Sequence, residues 1–270
     1  YDEKIKLPRL GGNMLRGLYT SVSSMLNLQE RQSVLTNNLA NIKTNGYKED
    51  KLISKSFDEM TLSNNDNYKN GIPTHQILGD LSFGTKIDEV TTNFKQGSFI
   101  STENNSDFAL NGSGFFQVRD HDGNTFYSRD GSFKINSQGY LVTNGGHNVM
   151  GVNQASNSVE PIYVGNGKMT INSSNGLTIE GGNSYKFNIV DFNDYKGLKK
   201  VGDNLYSGNN PTNTNNYSIK QGFLEGSNVD YIASVTESME TIKEFEANQK
   251  VIQTIDSTLK QIASEIGNVR

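Results

Sequence analysis

The sequence predicts a mainly β protein with a long α-helix at each end. Three observations lead there. Apolar residues recur in steps of three and four from Met14 to Tyr47 and again from Asn228 to Val269, the spacing of amphipathic helices. Between these segments, turn dipeptides such as Asp122-Gly123, Asp130-Gly131 and Gly145-Gly146 punctuate short apolar runs, which indicates antiparallel strands rather than a parallel α/β sheet. No third helical pattern is available to complete a bundle. The expected architecture is an antiparallel β body, with the N- and C-terminal helices pairing as a coiled coil.

The first helix has its apolar seam at Leu18, Ser21, Met25, Leu28, Gln32, Leu35, Leu39 and Ile42, close to heptad spacing. No proline interrupts it, and Thr44-Asn45-Gly46 is the expected stop, with Gly46 as a left-handed C-cap. The second helix is expected to start after Ser227-Asn228, good N-cap types, with Asp230 in the first turn. Its row is Ile232, Val235, Met239, Ile242, Phe245, Ile252, Ile255, Leu259, Ile262 and Ile266. Two steps of three in succession, at Met239, Ile242 and Phe245, displace the stripe around the helix. The row is therefore expected to face one partner below the slip and another above it. Polar Gln32 and Gln249 on these seams are candidates for restricting register.

The chain between the helices divides by composition. Residues 49–80 are expected as a linker, with Ser63 to Gly71 (SNNDNYKNG) a polar loop. Residues 81–145 with 205–225 are read as a β domain, and 146–204 as an inserted β subdomain. Residues 14–48 and 226–270 form the helical assembly domain. Tyr1 to Asn13 is mixed and polar and is read as an added or upstream extension, Met14 being a natural start. No cleavable signal peptide is visible in it.

Composition narrows the function classes. The apolar fraction is 33% with mean hydropathy −0.60, which suits a long molecule with much surface. Net charge is −4 with no basic block, so nucleic acid is not favoured. No apolar run is long enough to cross a bilayer. Cysteine is absent, so disulfides and thiolate metal sites are excluded.

The candidate chemistry is weak. Asp120-His121-Asp122-Gly123-Asn124 has the start of a calcium loop, but the twelfth position, which needs a closing Glu, is Gly131. A hairpin turn is the better reading. Gly112-Ser113-Gly114 precedes no helix pattern, so it is not a dinucleotide fingerprint. His75, His121 and His147 lack the paired spacing of a metal helix. No catalytic, cofactor or metal residue is assigned.

The ends carry a resemblance. MLRGLYTSVSSMLNLQERQSVLTNNLANIKTNGYK, from Met14, and above all its part Asn38 to Lys48, resembles the N-terminal signature of flagellar axial proteins. GFLEGSNVD from Gly222 and FEANQKVIQTID from Phe245 are similar to that family's C-terminal signature. FALNGSGFFQV, SRDGSFKIN, QGYLVT and VGDNLYSG match in the middle. The opening and the length look most like the distal-rod type of basal-body rod, or hook-basal body, protein.

The resemblance implies a non-enzymatic building block of the bacterial flagellum basal body. It implies export through the flagellar secretion channel and helical polymerisation with copies of itself and with other rod and hook proteins. The terminal helices would pair and line the tube. The assembly interface expected from the seams is Leu18, Met25, Leu28, Leu35, Leu39, Ile42, Ile232, Val235, Met239, Ile242, Phe245, Ile252, Leu259, Ile262 and Ile266. No cofactor, nucleic acid or membrane insertion is implied. Two other readings stand beside it: a hook or hook-associated subunit, and a secreted β-rich protein that binds or degrades cell wall.

Overall fold

Both three-four repeats form helices: α1, Leu10–Ala40, and α2, Tyr231–Gly267. The computed structural model describes residues 10–69, 72–172, 174–214 and 216–267. The helix bounds differ from expectation. α1 starts before Met14 and ends at Ala40 rather than Tyr47. Beyond it, bonds spanning three residues replace the helical ladder: Asn41 N–H donates to the Asn38 carbonyl at 3.2 Å and Thr44 N–H to that of Asn41 at 3.1 Å. Gly46 is left-handed, φ +68°, but stands beyond this turn. A Cβ there would lie 2.5 Å from the Asp130 nitrogen, so close backbone approach also requires glycine. Asn228 does not cap α2. Its side chain accepts from Glu49 N–H at 2.8 Å and donates to the Asn93 carbonyl at 2.7 Å.

The strands follow in order. β1 is Asp50–Ser56, β2 Met60–Lys69, β3 Ile72–Leu81, β4 Thr85–Thr92, β5 Phe99–Ser101, β6 Phe108–Gly112, β7 Phe115–Arg119 and β8 Thr125–Ser128. Then come β9 Lys134–Ile135, β10 Leu141–Val142, β11 Asn148–Asn153, β12 Val159–Pro161, β13 Met169–Ile171, β14 Gly176–Ile179, β15 Ser184–Phe187 and β16 Ile189–Asp191. The last are β17 Lys199–Gly202, β18 Leu205–Ser207, β19 Thr212–Asn213, β20 Tyr217–Gln221 and β21 Phe223–Glu225.

The chain forms two compact units. Among the described residues, the first holds those up to Asn37, Asp50–Thr91 and those from Ile232 on; the second holds Asn38–Glu49 and Thr92–Tyr231. In the first unit β1 pairs with β4, and β2 pairs antiparallel with β3. Residues 49–80, expected as a linker, are thus largely paired strands, and 63–69, expected as loop, continue β2. Residues 70 and 71 lie outside the described residues. Polar residues can hold this ribbon because it pairs through backbone, with register shifts at Leu62/Ser63 and Asn64/Asn67. The turn joining β3 to β4 abuts α1. Thr20 Oγ1 donates to the Phe83 carbonyl at 3.3 Å, and a Cβ on Gly84, φ +144°, would lie 2.2 Å from Ser23 Oγ.

The second unit carries the apolar core. Among the described residues, 13 strands form one sheet, whose main path runs β13-β14-β15-β11-β7-β8-β18-β17. Strands from 146–204 lie on both sides of β7 and β8 in this path, so that segment is part of the same sheet and not an inserted subdomain. β7 and β8 form the hairpin read at Asp120 to Asn124, closed by Asp120 N–H donating to the Asn124 carbonyl at 2.9 Å. One cluster packs Phe108, Phe116, Phe133 and Phe187 with Leu110, Leu141, Ile162 and Leu177. A second packs Phe115, Tyr127, Val190, Phe192 and Tyr206. Ring pairs such as Phe116 and Phe133, 5.2 Å apart edge to face, add to area burial.

Candidate assembly interface

Within the first unit the two helices run antiparallel. Arg31 meets Glu237 at 2.6 Å, Gln32 Nε2 donates to Ser238 Oγ at 2.8 Å, and Asn248 Nδ2 donates to Ser24 Oγ at 3.2 Å. A Cβ on Gly17 would lie 3.8 Å from Ile255 Cδ1. Along the pair, α2 numbers rise from Glu237 and Ser238 through Asn248 to Ile255 as α1 numbers fall from Arg31 and Gln32 through Ser24 to Gly17.

The seam between them is largely polar over the lower half of α2. Ser234 and Thr241 are buried, and Ser238 and Asn248 are half-buried in hydrogen bonds to α1. Among the described side chains, Ser21, Asn27, Leu28 and Leu35 are the buried residues of α1 in this unit. Ser234, Ser238, Thr241, Phe245, Asn248, Ile252, Ile255 and Leu259 keep a three-four step without a slip. The sequence reading followed the more apolar row and missed this one, whose signal is unbroken spacing through small polar residues.

That choice decides where the predicted residues fall. Leu28 and Leu35 are buried, while Leu18, Met25, Val235, Phe245, Ile252 and Leu259 are half-buried. Leu39 and Ile42, in the second unit, are half-buried too. Ile232 is 76% exposed, Met239 61% and Ile242 46%. These three point away from the helix pair, because Ser234, Ser238 and Thr241 take the inner positions. Ile262 is also exposed, and the side chain of Ile266 lies outside the described residues. α1 has an outward stripe not read from the sequence: Tyr19 at 68%, Val22 at 40% and Leu26 at 61%, in three-four spacing. The lower half of α2 thus turns polar groups inward and Ile232, Met239 and Ile242 outward, whereas Leu28, Leu35, Phe245, Ile252, Ile255 and Leu259 supply an apolar part of the seam; the outward stripes are apolar surface the helix pair leaves uncovered.

The helix roots belong to the second unit and are tied there by charge. Lys48 Nζ, fully buried, meets Glu225 Oε1 at 2.6 Å and donates to the Lys95 carbonyl at 2.8 Å. Glu225 Oε2 accepts from Arg129 Nη1 at 3.3 Å, and Oε1 from Gly97 N–H at 3.0 Å. Burial pushes the Lys48 ammonium below its ordinary pKa, Glu225 opposes that shift, and Arg129 adds to it.

Little else offers chemistry. A pocket of about 340 Å³ is lined by Phe192, Asn193, Asp194, Gly197, Asn209 and Asn210, so one carboxylate faces it. His147 Nδ1 lies 3.4 Å from Asp120 Oδ1, His121 is exposed, and the side chain of His75 lies outside the described residues. No group of three or more metal-ligating side chains gathers among the described residues. No described helix is long and apolar enough to cross a membrane.

Comparison with known proteins fits this geometry. Three family models match: flagella basal body rod protein over residues 18–48, flagellar hook protein FlgE/F/G D1 domain over 109–190, and flagellar basal body rod FlgEFG protein C-terminal over 220–265. The first covers most of α1 and its root, the second runs from β6 to β16, and the third runs from β20 through most of α2. The flagellar hook-basal body complex protein FlhO of Bacillus subtilis is 34% identical, over 95% of this chain and 100% of that protein. The flagellar basal-body rod protein FlgG of B. subtilis is 31% identical, over 93% and 99%. FlgG of Buchnera aphidicola subsp. Baizongia pistaciae is 33% identical, over 93% and 99%. Matched from its first helix through its sheet to its second helix, the chain belongs to the flagellar basal-body rod and hook-basal body protein family.

Proposed function

We propose that this chain is a structural subunit of the flagellar basal-body rod, acting by assembly and not by catalysis. Its whole-length likeness to rod proteins supports the placement. The observation that carries the assembly reading is the two outward apolar stripes of the helix pair: Tyr19, Val22 and Leu26 on α1 and Ile232, Met239 and Ile242 on α2 are exposed. With α1 and α2 antiparallel, the two stripes are offset along the pair by about ten residues, roughly 15 Å. That stagger suits a contact between unlike surfaces of successive copies, which propagates as a helical polymer instead of closing as a dimer. Burial on assembly supplies the driving force, about 25 cal/mol per Å² of apolar surface. Export through the flagellar channel, and rod and hook proteins as neighbours, follow from the same family reading.

A deletion strain tests the proposal. Basal bodies isolated from it are expected to stop at an incomplete rod, and the intact gene restores them. Complete rods and hooks in the deletion strain would refute the placement. A second assay addresses the cell-wall reading: purified protein is expected to release no soluble fragments from cell wall.

A further inference from the structure

The Lys48–Glu225–Arg129 cluster joins pieces of chain that are far apart in sequence. Lys48 and Glu225 are separated by 177 positions and Arg129 and Glu225 by 96. Both side chains of the 2.6 Å pair are fully buried, and that of Arg129 is 5% exposed. Arg129 Nε has no acceptor among the described residues, and its guanidinium stacks 5.3 Å from the Phe115 ring centroid. Glu225 is therefore the anion holding two buried cations. Its backbone completes the joint: the Glu225 carbonyl accepts from Gly46 N–H at 2.7 Å, and Gly226 N–H donates to Ser98 at 2.8 Å.

Without Glu225, the segments at 45–48 and 129 would bury two positive charges facing each other, which costs more than leaving the segments open. We propose that Glu225 works as a completion latch: the root of α1 closes onto the rest of the second unit only when the C-terminal segment 222–228 delivers this carboxylate. Both helix roots are then set in one step, Asn228 bonding Glu49, Asn93 and Lys95 as Glu225 docks. The consequence for assembly rests on the proposed function: only a complete chain presents a fixed pair of helix roots. The latch itself is a property of the monomer, so its test does not depend on polymerisation.

Hydrogen exchange on the full chain reads it directly. Glu225→Gln keeps the size and an acceptor for Gly97 but removes the charge. The amides of Gly46, Gly97 and Gly226 are expected to exchange together, at least about 100-fold faster than in the parent, while β7 and β11 keep their protection. The triple variant K48M/R129M/E225L removes all three charges at similar volume and is expected to restore slow exchange at Gly46 and Gly226. If Glu225→Gln unfolds the whole unit, recovery of a folded protein by the triple variant carries the same meaning. Exchange within tenfold of the parent, acceleration at Gly226 alone, or a triple variant as open as Glu225→Gln would overturn the latch.

Discussion

Truncating the outward stripes separates folding from assembly. Leu26 is 61% exposed and Met239 61% exposed in the isolated chain. Fully burying such a side chain contributes about 1.5–3 kcal/mol, so the exposed share leaves about 1–2 kcal/mol to be gained on assembly by each. Leu26→Ala and Met239→Ala each discard most of that gain. Each is expected to raise the critical concentration for polymerisation by about five- to twentyfold, and the pair by about 100-fold, since ~1.4 kcal/mol is a factor of ten. Stability of the monomer is expected to stay within about 0.5 kcal/mol, because surface substitutions that open no cavity cost little and alanine favours the helix. Sedimentation of polymer against total protein measures the first quantity, and urea denaturation of dilute monomer the second. An unchanged critical concentration would show that the stripes are not the contact. A loss of monomer stability of 2 kcal/mol or more would show that they pack within the chain.

Three further outcomes are expected. Gly46→Ala should destabilise the second unit by more than about 1–3 kcal/mol in denaturant, since the left-handed backbone and the Asp130 contact both exclude a Cβ. Burial, reinforced by the nearby Asp107, holds the Asp130 carboxyl above its ordinary pKa of 3.8 despite the opposing Ser132 hydrogen bonds. A carboxyl with a raised folded pKa adds stability in acid, which is lost as pH rises through that folded value. Asp130→Asn should therefore match or exceed the parent in urea midpoint at pH 7 and lose that advantage in acid; a variant that is less stable at pH 7 would contradict this. The Arg31–Glu237 pair is 44% and 43% exposed, so a double-mutant cycle should give a coupling below about 1 kcal/mol, falling further in salt.

Local signals explain what could be read early. Hydrophobic spacing marked both helices, and Asp-Gly placed the β7–β8 hairpin, because each depends on neighbours along the chain. The polar ribbon at 49–80 was not legible: its strands are held by backbone pairing, which leaves no apolar alternation. The face of α2 was misassigned for a related reason. Ser238 sits on the inner row because its partner Gln32 is supplied by a helix some 200 residues away, and buried Thr241 turns its hydroxyl back onto the Glu237 carbonyl of its own helix.

What the amino-acid order alone determined is the presence of two terminal helices, a turn-rich antiparallel sheet and motifs shared with flagellar rod proteins. Only the tertiary structure decided which helix face turns outward, that 146–204 belongs to the one large sheet, and that Lys48 meets Glu225. Periodicity states how residues are spaced, whereas facing and charge pairing depend on which distant surface arrives opposite them.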